Sequence, residues 1–194
     1  MLWQSILWIW LSGLLFAVFH SITASTTCKQ WFYQRGIQEP RYRLIYSIVA
    51  ILTTAVWVYF VHQLADTALY QSAGFGQVIL MAIQGIGLVL MLAAFHPIDG
   101  LVFLGLRPAL IGTDPFVERG IYRWLRHPMY VGAMLILLAM PSQSWNGLHF
   151  SLLICVYFII GSRFEEQRML REHPDYAAYR QRVAAFIPMP WKRP

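Results

Sequence analysis

Five apolar runs punctuate this sequence, and all of its lysines and arginines fall in every second gap between them. The runs cover residues 2–19, 44–61, 78–95, 129–140 and 148–161. No basic residue precedes the first run. Lys29, Arg35, Arg41 and Arg43 follow it, and the next gap has none. Arg107, Arg119, Arg123 and Arg126 lie between the third and fourth runs, and the next gap again has none. Arg163, Arg168, Arg171, Arg180, Arg182, Lys192 and Arg193 follow the fifth, completing the 15. An 18-residue helix is about 27 Å long, close to the ~30 Å hydrocarbon core of a bilayer. Strict alternation of basic gaps is what the positive-inside rule produces. The pattern predicts an all-α, integral membrane helical bundle of about five transmembrane helices. Its N-terminus is expected outside and its C-terminus in the cytoplasm, with a bacterial inner membrane as the expected location.

Composition agrees. The 194 residues are 58% hydrophobic and 12% charged, where a soluble domain carries about 25% charged residues. The net charge of +6 raises the question of nucleic acid. The basic residues are split between apolar runs rather than gathered on one soluble face, so no nucleic-acid partner is expected. Cys28 and Cys155 are far apart and form no metal-ligand spacing; no metal site is expected. The start of the chain lacks a basic segment and a small-residue cleavage site, which predicts a retained membrane segment. One membrane domain over 1–194 is expected, with three membrane helices in 1–95 and a second part in 96–194.

The last two runs are short and predict a helical hairpin that need not cross the whole bilayer, joined by a tight turn at residues 141–144. Trp3, Trp57, Trp124 and Trp145 sit near run ends, as interfacial anchors do. Gly85 and Gly87 in the third run would allow a neighbouring helix to come close. After the fifth run, FEEQRMLREH is helix-forming. Pro174 and Asp175 suit the first turn of a further helix, DYAAYRQRVAAF, with Tyr176, Tyr179 and Val183 on one face, stopped by Pro188 and Pro190. This is the expected cytoplasmic helical tail.

Three groups of residues could carry chemistry. Arg126, His127 and Pro128 open the fourth run, followed by Tyr130 and Gly132. Pro128 suits a first helical position, so free N–H groups beside an arginine and a histidine could hold a carboxylate or phosphate. Gly132 would let a ligand approach the backbone. The same residues could equally be a basic membrane anchor. Glu165 and Glu166 follow the fifth run, and carboxylates at that depth need partners: either a cationic ligand, or Arg126, Arg163 or Arg168. His20 and His96 end the first and third runs. Histidines there can ligate haem iron or be ordinary interfacial polar residues. Asp99 and Arg107 could pair with each other or line a mouth. There is no GxGxxG, GxSxG or HExxH motif.

The stretch RGIYRWLRHPMYVG, then a short hairpin, then FEEQRMLREHPDYAAYRQRVAAFIP, resembles the isoprenylcysteine carboxyl methyltransferase-like superfamily. That likeness covers about a third of the chain. FAVFHSITAS, RYRLIYSIVA and DGLVFLGLR resemble its NnrU-like and thiol S-methyltransferase branches more weakly. The resemblance implies a membrane methyltransferase that uses S-adenosylmethionine, making 96–194 the cofactor-binding core and tail. Carried over by position, it implies Tyr122, Arg126, His127, Tyr130, Gly132, Glu165 and Glu166 as the cofactor site, with Arg126 and Glu166 as catalytic residues. It implies a small thiol or other lipophilic acceptor arriving from the membrane lipids, and says nothing of oligomeric state. The NnrU-like branch also implies an alternative: a haem-binding protein, isomerase or redox accessory, using His20 and His127. Tyr130 and the intact signature from Glu165 to Pro188 depart from that branch and favour methyl transfer.

Such a reaction suits the residues. The methyl donor carries a carboxylate, an ammonium and a sulfonium, which call for one cationic and one anionic partner. In-line displacement depends on positioning and exclusion of water. A thiol acceptor ionises near pH ~8.5 and is further helped by a nearby cation. No catalytic dyad is required.

Overall fold

The computed structural model describes residues 1–108 and 116–188. Pro190, Lys192 and Arg193 lie outside the described residues. Where a run is apolar and free of proline, the chain is helical. The elements are α1 (Leu2–Ala24), α2 (Thr26–Tyr33), α3 (Glu39–His62), β1 (Ala68–Gln71), α4 (Gly74–Phe95), α5 (Gly100–Phe103), a 3-10 turn (Gly120–Arg123), α6 (Pro128–Leu138), β2 (Ser142–Ser144), α7 (Trp145–Glu172) and α8 (Tyr176–Arg182).

Among the described residues four helices, not five, are long and apolar enough to cross a membrane: α1, α3, α4 and α7. The fourth apolar run becomes α6, whose 11 residues span only about 16 Å. The fifth run is not short. It continues without a break into FEEQRMLRE, giving a 28-residue helix, because those residues are good helix formers that merely end the hydropathy. Residues 142–144 are a strand rather than a turn, paired with β1. The described residues are thus all-α apart from this ribbon. Lipid-facing side chains such as Leu15, Val56, Val89 and Ile160 are exposed, as a surface solvated by acyl chains requires.

The chain folds as two compact units. The first comprises residues 1–67, 99–114 and 144–150, and the second 68–98, 115–143 and 151–194. In the first, α1 and α3 pack together. Phe16 stacks on Trp57 at 4.9 Å, and the Trp57 indole donates to Ser12 Oγ at 3.0 Å. Ser25 ends α1 and caps α2, accepting from the Cys28 amide at 3.2 Å. Asp99 and Arg107 pair at 3.3 Å, one of the two arrangements open to them.

The second unit holds every residue expected in the cofactor site. Its centre is the packing of α4 on α6. A Cβ on Gly87 would stand 2.6 Å from the Gly132 carbonyl oxygen, and one on Gly132 would stand 2.5 Å from that of Gly87. The Gln84 side-chain amide donates to Ile136 O at 3.0 Å. Small residues and one amide thus join helices that have no hydrophobic reason to associate in lipid. Gly85 meets nothing within 4 Å, so only one of the two glycines in the third run is used this way. At one end of the pair the ribbon closes the hairpin: Ser72 N donates to Pro141 O at 2.8 Å and Tyr70 OH to Met140 O at 2.9 Å. Ser151 Oγ on α7 donates to Leu137 O at 3.2 Å, fixing α7 beside α6. The tail then folds back. Tyr176, Tyr179 and Val183 are buried together against Phe116 and Met169.

Candidate functional site

The site begins at Gly120, whose φ of +64° lies in the left-handed region that glycine adopts without strain. It starts the 3-10 turn that carries Tyr122. Next, Leu125 forms a parallel bridge with Ala184. The amides of Arg126 and His127 donate to Ala184 O at 2.9 Å and Ala185 O at 3.2 Å. The tail therefore binds the two residues just before Pro128, and α6 starts there. His127 is the residue before a proline, a position kept out of the helical region by the ring. Its φ of −122° and ψ of 56° fit that constraint.

Arg126 and Glu166 lie at the centre. Arg126 donates from Nε to Glu166 Oε1 at 2.8 Å, and its Nη2 is 2.7 Å from the same oxygen. Its Nη1 donates to Arg180 O at 3.0 Å and to Val183 O. His127 Nε2 lies 3.0 Å from Glu166 Oε1. An ionised carboxylate only accepts, so the proton sits on Nε2. Arg180 Nε faces Glu166 Oε2 at 3.2 Å. Only 6% of the Glu166 side chain and 9% of that of Arg126 are exposed. Both groups spend their hydrogen-bonding capacity inside the protein, as buried charges must.

Glu165 differs. One residue along a helix turns the side chain by about 100°, and the Glu165 side chain is 39% exposed. Its Oε2 accepts from Tyr130 OH at 2.9 Å and lies 3.8 Å from His127 Nδ1. An aromatic column backs it. Tyr130 stacks on Phe158 with centroids 4.7 Å apart and on His127 at 5.4 Å. His127 in turn stacks on Phe186 at 5.4 Å.

Tyr179 OH donates to Tyr122 O at 2.8 Å, tying α8 to the 3-10 turn. Burial raises the Tyr122 phenol to about 12, with the Glu165 charge adding to it. Tyr176 is likewise raised to about 12 by burial and then by Glu166, and Tyr179 is raised by burial. All three remain neutral hydroxyls at physiological pH. A cavity of about 730 Å³ adjoins this wall, lined by residues that include Phe116, Glu118, Arg119, Arg123, Tyr179 and Arg182.

Six of the seven residues expected from the sequence are drawn around this cluster: Tyr122, Arg126, His127, Tyr130, Glu165 and Glu166. Gly132 is turned to α4 and serves helix packing. Sequence reasoning missed Arg180, Phe158 and Phe186 as neighbours of the site. Arg180 sits one turn after Tyr176, where the helical spacing already noted could have found it. His96 is outside the cluster. His20, in the other unit, has Nε2 2.7 Å from Tyr46 OH.

Fold and cluster together define a small helical membrane protein with a charged site built from the α6 start, α7 and the returning tail. The family model described as NnrU protein matches residues 8–186, and the chain belongs to that family. It is 29% identical over 185 residues to methanethiol S-methyltransferase 2 of Bradyrhizobium diazoefficiens, covering 90% of this chain and 70% of that protein. It is 28% identical to the methanethiol S-methyltransferase of Pseudomonas deceptionensis, covering 90% and 69%. With the enzyme of that name from Mycobacterium tuberculosis it shares 29% identity, covering 90% and 75%. No solved structure gives a significant match.

Proposed function

We propose that this protein is an S-adenosylmethionine-dependent integral membrane methyltransferase acting on a small thiol. Relatives named methanethiol S-methyltransferases align over 90% of the chain, and the family match over residues 8–186 includes the whole charged cluster. The observation that carries the reading is Glu165: a half-exposed carboxylate, oriented by Tyr130, beside a buried and self-satisfied Arg126–His127–Glu166 group. A carboxylate free to take a cationic ligand, next to stacked aromatic faces, suits the ammonium and sulfonium of the methyl donor. The cavity beside Tyr179 and Val183 lies within the size range of small-molecule sites.

The residues divide into two roles. Glu165 and Tyr130 meet the ligand. Arg126, His127 and Glu166 are positioning residues, which lock the tail onto the start of α6 and keep the wall rigid. The bound cofactor supplies the methyl group from its sulfonium. The chain orients it, excludes water with the aromatic column and returning tail, and presents a positively charged surface that favours the thiolate form of the acceptor. Nε2 of His20 and of His127 each face a protein partner that a haem ligated through those atoms would displace. The charge alternation supports an N-terminus outside and a C-terminus in the cytoplasm, where the soluble cofactor is, with the short α6 completing the odd number of passages this requires; the bacterial relatives support a bacterial inner membrane. The charged cluster lies wholly within 96–194, which supports one functional domain whose 96–194 part holds the cofactor.

The test is transfer of labelled methyl groups by the purified protein to a panel of small thiols, prenylated cysteines and lipids. Methylation of small thiols with no Soret absorbance is expected. A haem spectrum without cofactor binding would overturn the reading.

A further inference from the structure

The donor's carboxylate needs a cation, and Arg126 is fully engaged by Glu166, Arg180 O and Val183 O. Arg168 is not so engaged. Its Nε is buried and has no hydrogen-bond partner, a rare condition for a charged donor that calls for an explanation. The ion pair it makes, to Glu172 Oε2, is 3.8 Å long, beyond hydrogen-bond range. Arg168 lies three residues after Glu165 on α7, so the two side chains are neighbours on one helix face. An anion and a cation one turn apart, beside an aromatic wall, match the two charges of an amino-acid group.

The other arginines are placed less well. Arg182 pairs with Glu118 at 3.2 Å. Arg180 points Nε at Glu166 Oε2. Arg119 and Arg123 are exposed at the rim of the cavity.

We infer that Arg168 binds the carboxylate of the methyl donor's amino-acid end while Glu165 binds its ammonium, so that α7 reads the zwitterion with one turn of helix. The inference rests on the methyl-transfer reading above and adds the residue that reading lacks.

The test is calorimetric binding to the full chain in detergent, without turnover. S-adenosylhomocysteine is compared with its decarboxylated form, which keeps the ammonium and lacks the carboxylate. Wild type is expected to prefer the complete molecule by roughly 10- to 100-fold, the range of a charge-assisted hydrogen bond. Arg168→Gln should lose that preference and bind the decarboxylated form as wild type does, with unchanged thermal stability. Arg168→Lys should regain part of it. Equal binding of both ligands by wild type would overturn the proposal without any variant. So would Arg168→Gln retaining the preference, or Arg123→Gln or Arg182→Gln abolishing it instead. Wild type that binds neither ligand would overturn the methyl-transfer reading itself.

Discussion

Arg126 grips a single oxygen of Glu166 through two nitrogens, at 2.8 and 2.7 Å, while its remaining terminal nitrogen holds two backbone carbonyls of the tail. The pair joins segments that are 40 residues apart. Removing one partner strands the other charge in a buried site, which costs about 3–5 kcal/mol. Arg126→Ala is therefore expected to lower the unfolding temperature of the solubilised protein and to open the tail to protease. Arg126→Lys should restore only part of the loss, since an ammonium cannot copy the planar fork. Wild-type resistance in Arg126→Ala would refute the role.

The adjacent glutamates separate binding from stability. Glu165→Gln should weaken cofactor affinity about tenfold or more while leaving thermal stability near wild type, because its side chain is 39% exposed. Glu166→Gln should do the reverse and destabilise first, being 6% exposed and tied to Arg126, His127 and Arg180. Calorimetry and thermal unfolding on both variants check this, and the assignment fails if the two behave alike.

Gly132→Ala would drive a methyl group into the Gly87 carbonyl, where the gap is 2.5 Å and backbone cannot swing away. Overpacking of this kind costs about 1–3 kcal/mol. Gly85→Ala, with open space around it, should be neutral or gain up to about 1 kcal/mol in helix propensity. Unfolding by graded denaturing detergent compares the two, and equal effects would show that the α4–α6 contact is not as close as described.

High pH should loosen the tail. Unfolded tyrosines ionise near pH ~10, whereas Tyr122 and Tyr176 in the fold hold their protons to about 12. Between those values the unfolded chain binds fewer protons, so stability falls as pH rises. The contribution is intact below about pH 10. Melting temperatures from pH 8.5 to 11.5 should decline, with a shallower slope in Tyr176→Phe. An unchanged slope in that variant would remove Tyr176 from the account.

Much of this was legible in the sequence. Runs of apolar residues marked α1, α3 and α4 as long helices, since hydrophobic length alone sets that outcome. Pro128 marked the start of α6, and Tyr176, Tyr179 and Val183 were expected on one buried face. Hydropathy failed where a helix outruns its apolar part, as α7 does past Gly161. It could not foresee that residues 142–144 pair as a strand, because nothing local distinguishes that ribbon from a turn. Gly132 next to a motif of charged residues suggested a ligand, yet its partner is Gly87, and a close approach of helices leaves no mark beyond the glycine itself. Which glutamate is buried was equally hidden, since helical phase at Glu165 and Glu166 is fixed only by what α7 packs against.

The link from Arg126 Nη1 to Val183 O crosses 57 residues, and this sets an order in time. A nascent chain can insert α4 and α6 while Ala184 and Ala185 are still inside the ribosome. Until those alanines emerge, Arg126 and His127 have no backbone acceptors, and the wall behind Glu165 stays open. The site is thus finished only once the tail has emerged, and chains arrested before Ala184 would be inserted in the membrane yet incompetent.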